Sequence, residues 1–158
     1  VNKLKYKKQK IAILSIGDSN NLNGVHNNVE VFNYKRIERD SELRKFYNAL
    51  DLIVVPSRME AFGQVASEAI SCGVPVVSFN VGGLKDIVIH KKNGYLAKSF
   101  DINDLSKGIE YILNLKKNDY KKMARNSIKI SKNKFSLKII GSKYLKLYEK
   151  ILKNKVIK

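Results

Sequence analysis

Two glutamates, Glu60 and Glu68, stand eight residues apart in the stretch EAFGQVASEAISCG. A helical pattern of apolar residues begins near Gly63, between them, and the first residues of that predicted helix carry no charge. The first N–H groups of a helix have no intrahelical partner and carry partial positive charge, so an uncapped start favours an anion such as phosphate. A glycine at this point lets a ligand come close to the backbone.

The two carboxylates flank this predicted anion site. Glu68 lies about one turn into the helix, where it can accept two hydrogen bonds from the diol of a ribose. Glu60 lies in the loop before the helix and can accept hydrogen bonds from sugar hydroxyls. Together the residues describe a site for a nucleoside diphosphate that carries a sugar. By chemistry alone the alternative stays open that Glu60 is a solvated loop residue and Glu68 a surface residue.

The elements around this stretch follow from the period of the apolar residues. Strands are predicted at 11–17, 29–33, 51–57, 75–79 and 93–98, and an Asn-rich loop at 18–28. Helices are predicted at 39–50 (with Asp40 or Ser41 as N-cap), 63–73 (closed by Gly73), 84–89, 101–117, 120–132 and 137–153. Strands that alternate with helices predict an α/β fold, a Rossmann-like parallel sheet with helices on both faces. Ligands bind beyond the carboxyl ends of such strands, which is where Glu60 falls.

Several spaced motifs occur in one order between Pro56 and Ile109. They are Glu-x7-Glu with Phe-Gly between the glutamates, a Gly-Gly-x-x-acid turn at Gly82, Gly83 and Asp86, and NGYLA at 93–97. In these features the segment resembles the C-terminal donor-binding domain of family 4 (group 1) glycosyltransferases of the GT-B fold. Its FGQVASEA sequence, residues 62–69, is similar to that of family members from bacterial surface-polysaccharide pathways.

The resemblance implies a role for each matched residue. Glu60 is expected to contact the hydroxyls of the donor sugar and to be the catalytic residue, and Glu68 to bind the ribose. The sugar and diphosphate would be held by backbone groups of Phe62, Gly63, Gln64 and Val65. Tyr34, a looser match, would lie near the base. Such enzymes retain anomeric configuration and usually need no metal or other cofactor. The leaving phosphate of the UDP- or GDP-sugar helps to deprotonate the acceptor, so no protein base is required.

The resemblance also sets expectations about domain organisation. Residues 1–158 are expected to form one nucleotide-sugar-binding domain, with a Rossmann-like core at about 11–115 and C-terminal helices at about 118–153. The family's Gly-rich loop with an Arg and a Lys, and its N-terminal domain that binds a glycan or lipid-linked acceptor, have no match before Ile11. The chain is therefore expected to be an N-terminally truncated fragment that binds donor weakly and has little or no activity alone.

The charge is large and uneven. The formal net charge is +17, and from Leu115 onward 15 basic residues face only Asp119 and Glu149. Such a run is usually a solvated face, and we expect no nucleic-acid partner, but peripheral contact with an anionic membrane stays open. The single cysteine, Cys72, cannot form an internal disulfide, which indicates a reducing compartment. The predicted location is the cytoplasm, either free or at the inner face of the plasma membrane.

Two other functions remain open from the sequence. One is a module that binds nucleotide sugars without catalysis, and the other is a basic protein whose Lys-rich helices contact nucleic acid or membrane. No metal site is predicted, since His26 and His90 lack the spacing of metal ligands. Gly82 and Gly83 are expected mainly to serve turn geometry. Arg58 can be either a phosphate ligand or an exposed loop arginine.

Overall fold

The computed structural model describes residues 11–17, 23–26 and 29–155. The strands are β1 (Ala12–Ile16), β2 (Gly24–His26), β3 (Val29–Tyr34), β4 (Ile53–Val55), β5 (Val76–Phe79) and β6 (Gly94–Ala97). The helices are α1 (Asp40–Asn48), α2 (Gln64–Ser71), α3 (Leu84–Ile87), α4 (Ile102–Leu113), α5 (Lys117–Phe135) and α6 (Leu137–Lys155). The predicted alternation of strands and helices is confirmed. No helix in the described ranges has the length and apolar character that crossing a membrane requires.

The strands form two three-stranded sheets, in the orders β1-β3-β2 and β4-β5-β6. All pairs in the second sheet are parallel, and β1 also pairs with β3 in parallel. The short strand β2 pairs antiparallel with β3, so the prediction of a loop was wrong at Gly24–His26. Three residues are too few to show a strand period. The rest of that predicted loop, residues 18–22 and 27–28, lies outside the described residues.

Strand β5 is buried on both of its faces. Val76 belongs to a core cluster shared with α2, whereas Val77 and Phe79 belong to a second cluster shared with α4. A continuous apolar run is typical of a parallel strand covered on both sides, and each buried valine contributes about 1.5–3 kcal/mol relative to an exposed one. The prediction of a parallel sheet with helices on both faces is confirmed for the second sheet.

The ends of α1 and α2 test two details of the predictions. Gly73 follows α2 with a left-handed φ of +80°, as predicted for a residue that closes a helix. The N-cap of α1 is Arg39, which makes no side-chain capping bond, so the choice of Asp40 or Ser41 was wrong. Because helix geometry begins one residue earlier, Asp40 lies in the first turn, where its charge complements the helix dipole.

The parallel register of β5 and β6 leads to a stability prediction. A Cβ at Gly94 would overlap the backbone oxygen of Val76, whereas one at Gly141 in α6 would have no atom within 4 Å. We expect Gly94→Ala to lower the free energy of unfolding by about 1–3 kcal/mol. Gly141→Ala, the control, should leave it unchanged or raise it by up to about 1 kcal/mol. Urea unfolding followed by circular dichroism measures both, and equal stability of the two variants would contradict this packing.

Candidate functional site

The loop after β4 leads into an uncapped helix start. Gly63 precedes α2 with φ +96° and ψ 54°, a left-handed conformation that favours glycine, and no side chain caps the helix. A side chain at this position would also be crowded, because a Cβ would lie 2.7 Å from Cδ2 of the buried Leu84. The first turn of α2 contains no acidic residue. The start of α2 thus has the form that the sequence predicts for an anion site.

Glu60 is held against this helix start. Its Oε1 accepts a hydrogen bond from the N–H of Gly63 at 3.2 Å, and its side chain is half-buried. Its backbone oxygen accepts a hydrogen bond from the N–H of Gly83 at 3.1 Å. The alternative of a freely solvated loop residue therefore does not describe Glu60, whose carboxylate is anchored at the edge of the candidate anion site.

The turn at Gly82 and Gly83 packs directly on the loop of Glu60. A Cβ at Gly82 would overlap the backbone oxygen of Glu60, and one at Gly83 would lie 2.6 Å from Cα of Phe62. Turn geometry, the reason expected from the sequence, applies to Gly82, whose φ is +45°. The close approach of two backbones is a further requirement that sequence reasoning missed. The loops after β4 and β5 therefore form one packed unit.

Glu68 is bonded to a buried tyrosine. The hydroxyl of Tyr47 in α1 donates a hydrogen bond to Oε2 of Glu68 at 2.8 Å, and Tyr47 is only 4% exposed. Burial, together with the hydrogen bond and charge of Glu68, raises the pKa of Tyr47 well above its ordinary value. The sequence analysis did not predict this pairing of Tyr47 with Glu68. The available signal was that a buried tyrosine hydroxyl usually has a hydrogen-bond partner.

Tyr34 lies at the carboxyl end of β3 and is 45% exposed. Its ring meets that of Phe46 in α1 edge-on, with 6.0 Å between centroids. The ring of Phe46 is in turn 6.3 Å from that of Tyr47. A continuous series of contacts through α1 thus joins Tyr34, the predicted base residue, to Glu68, the predicted ribose residue.

The remaining predicted residues surround the helix start at the surface. Phe62 and Val65 are 49% and 47% exposed, and Gln64 is also exposed. The ring of Phe62 contacts that of Phe135 at the end of α5, with 5.7 Å between centroids. This contact joins residues 73 positions apart in the sequence and was not predicted. It brings the junction of α5 and α6 beside the candidate site.

Arg58 and His90, two further residues named in the sequence analysis, have defined surroundings. Arg58 is exposed, as one of its two alternatives has it, and its guanidinium lies over the ring of Phe100, 5.1 Å from the ring centroid. His90 is exposed, and its Nδ1 lies 3.1 Å from the backbone oxygen of Leu96. Within the described ranges, no three His, Cys, Asp or Glu residues are grouped closely enough to hold a metal ion.

Comparison with known proteins identifies the family of this site. The sequence family described as Glycosyl transferases group 1 matches residues 2–130. The chain belongs to the group 1 glycosyl transferase family. The resemblance to this group, first drawn from the motifs between Pro56 and Ile109, is thereby confirmed over most of the chain.

Two relatives extend this group 1 match. An uncharacterized glycosyltransferase of Methanocaldococcus jannaschii, MJ1178, is 38% identical over 143 residues, which cover 86% of this chain and 40% of that protein. The capsular polysaccharide biosynthesis glycosyltransferase CapM of Staphylococcus aureus is 29% identical over 148 residues, covering 90% of this chain and 39% of that protein. This chain therefore spans about two fifths of the length of these curated relatives.

Solved structures confirm the fold class. Sucrose-phosphate synthase from Thermosynechococcus elongatus superposes with a TM-score of 0.70 at 31% identity, over 79% of this chain and 31% of that one. HepE of Anabaena in complex with UDP-glucose superposes with a TM-score of 0.64 at 26% identity, over 78% of this chain and 33% of that one. This chain thus has the α/β fold of GT-B glycosyltransferases.

The buried Tyr47 hydroxyl leads to a pH dependence of stability. The folded chain keeps this proton above the ordinary tyrosine pKa of 10.0, whereas the unfolded chain releases it. The stability that this protonated group contributes is therefore complete below that pKa and is lost as the pH rises toward the higher folded value. Between about pH 9 and pH 11 we expect the free energy of unfolding to fall more steeply in wild type than in Tyr47→Phe. The urea concentration at the midpoint of unfolding, measured across this pH range, tests the expectation. Titration of the lysines affects both proteins alike, so it does not change the comparison. Identical slopes would contradict the assignment.

Proposed function

We propose that this chain is the donor-binding part of a retaining family 4 glycosyltransferase. It binds a nucleoside-diphosphate sugar, and the enzyme transfers the hexose to a polysaccharide or lipid-linked acceptor. The observation that carries the proposal is the uncapped start of α2 at left-handed Gly63, between the anchored carboxylates of Glu60 and Glu68. The UDP-glucose bound by HepE and the capsular polysaccharide role of CapM support the choice of donor and acceptor.

Each part of the site has a role in this proposal. The diphosphate lies at the first N–H groups of α2, and the ribose diol donates hydrogen bonds to Glu68. Glu60 accepts hydrogen bonds from the sugar hydroxyls, and Tyr34 lies beside the base. Backbone dipoles that are already oriented stabilise the charge that develops on the departing diphosphate, without reorganisation during the reaction.

The proposed reaction uses no metal or other cofactor. The bond between the anomeric carbon of the sugar and the donor phosphate breaks, the leaving phosphate accepts the proton of the acceptor hydroxyl, and the acceptor oxygen forms the new glycosidic bond. Because the aligned region covers about two fifths of the curated relatives, we place acceptor binding in parts of such proteins outside that region. On this proposal the chain alone binds donor weakly and has little or no transferase activity.

Titration with UDP, GDP and ADP, followed by amide NMR, tests the donor site. We expect saturable shifts from Gly63 to Glu68 with one of the three. Glu68→Ala should weaken that binding by about tenfold or more, because hydrogen bonds to a charged group contribute about 1.5–3 kcal/mol. Glu149→Ala, which removes an exposed carboxylate in α6, is the matched control. Binding of no nucleotide, or equal affinity in the two variants, would contradict the proposal.

A second candidate function concerns α6. All side chains from 141 to 153 are exposed, although many of them are large and apolar. At 3.6 residues per turn the apolar side chains of 144–152 fall within an arc of about 160°. Lysines at positions 143, 146, 150 and 153 lie on the opposite side, and Lys138 lies just beyond one edge of the arc. This pattern is typical of helices that lie in the plane of an anionic membrane surface. We therefore propose that the chain acts in the cytoplasm and contacts the inner face of the plasma membrane through α6.

Sedimentation with vesicles tests the proposed membrane contact. We expect binding to vesicles of phosphatidylcholine with phosphatidylserine, weaker binding as salt rises, and little binding to phosphatidylcholine alone. Leu152→Glu should abolish the binding because it places a charge in the apolar arc. Ile102→Glu, at an exposed apolar position in α4, is the control. Equal binding of both variants would contradict the proposal. Salt-sensitive binding of an RNA oligonucleotide unaffected by Leu152→Glu, without vesicle binding, would instead favour nucleic acid.

A further inference from the structure

We propose that Tyr47 is a positioning residue that orients Glu68 toward the ribose and so sets the preference for a nucleotide with an intact 2′,3′-diol. This inference deepens the proposed function and rests on it. It follows from the 2.8 Å hydrogen bond that the Tyr47 hydroxyl donates to Oε2 of Glu68. The two residues lie on different helices, 21 positions apart, and no motif of the sequence joins them.

The environment makes Tyr47 a fixed reference point. It is 4% exposed and belongs to the core cluster that contains Ala69 and Ile70 of α2. Its ring therefore cannot change rotamer without opening the packing between α1 and α2. Glu68 is half-buried and has a long side chain, so a ligand that had to order this side chain itself would lose conformational entropy on binding. The hydrogen bond from Tyr47 imposes this order before any ligand arrives.

The hydrogen-bonding capacity of the pair fits a diol. An ionised carboxylate has about four acceptor sites and no donor. The Tyr47 proton occupies one site on Oε2, so Oε1 keeps acceptor sites for the two ribose hydroxyls. Burial favours the protonated phenol, so Tyr47 stays a donor to the carboxylate at neutral pH. A ligand without the diol has no hydroxyl to place there and gains nothing from the orientation of Glu68.

The same helix also connects to the other side of the nucleoside. Phe46, the neighbour of Tyr47, contacts Tyr34 edge-on. One element, α1, thus fixes the carboxylate proposed for the ribose and supports the ring proposed for the base. A shift of α1 would move both, which makes the hydroxyl of Tyr47 the most selective point for a test.

The test compares two nucleotides on two tyrosine variants. Affinities are measured for whichever of UDP, GDP and ADP binds wild type, and for its 2′,3′-dideoxy counterpart. We expect Tyr47→Phe to weaken binding of the natural nucleotide by about three- to tenfold and to leave the dideoxy counterpart unchanged. Tyr120→Phe is the matched control, since it also removes a tyrosine hydroxyl, one that donates to the backbone oxygen of Asp51 at 2.8 Å. It should change neither affinity.

The other outcomes are distinct. Equal weakening of both nucleotides by Tyr47→Phe would show a purely structural role and overturn the inference, as would no weakening of either. If wild type binds none of the three nucleotides, the proposed function itself fails. If Tyr47→Phe does not fold, wild type labelled with ¹³C at the tyrosine Cζ replaces it. The Cζ resonance of Tyr47 should then shift with the natural nucleotide and not with the dideoxy form, whereas that of Tyr34, beside the base, should shift with both. An equal response of Tyr47 to both nucleotides would overturn the inference.

Discussion

The contact of two backbones, between the loop after β4 and the turn after β5, is the constraint on which the site depends. Gly82 and Gly83 approach the chain at Glu60 and Phe62 so closely that neither position has space for a Cβ. The N–H of Gly83 closes this contact by donating to the backbone oxygen of Glu60. These contacts between backbones hold the loop, and with it Glu60, at the start of α2 before a ligand binds. Binding of a ligand therefore costs little further conformational entropy in this loop.

The two ends of the candidate site are built in different ways. At the helix start the groups offered to a ligand are backbone N–H groups, which the fold of the second sheet fixes. At the other end they are the side chains of Glu68 and Tyr34, which depend on contacts with Tyr47 and Phe46 of α1. A rigid backbone cradle suits a diphosphate, which all donors share. Side-chain contacts suit the nucleoside, whose base differs between donors and must be discriminated.

The sequence predicted what repeats over many residues or matches a spaced motif. Apolar patterning located five of the six strands in the described part of the chain, and the family resemblance identified the loop of Glu60. Strand β2 was missed because three residues show no period. The bond from Tyr47 to Glu68 and the contact of Phe62 with Phe135 were missed for another reason. Each joins residues that are far apart in the chain, and apolar patterning assigns a residue to a face but not to a partner.

The exposed apolar arc of α6 gives the C-terminal charge a physical meaning that composition alone does not have. A 19-residue helix with few contacts to the core is only marginally stable in water, so a surface that covers its apolar side also stabilises it. Lysines on the opposite side can extend their long chains to reach anionic headgroups while the apolar side is buried. Phe135, at the junction with α6, touches Phe62 in the loop of Glu60. If α6 lies on a membrane, this contact holds the loop of Glu60 close to the same surface. A lipid-linked acceptor would then meet the donor sugar without leaving its membrane.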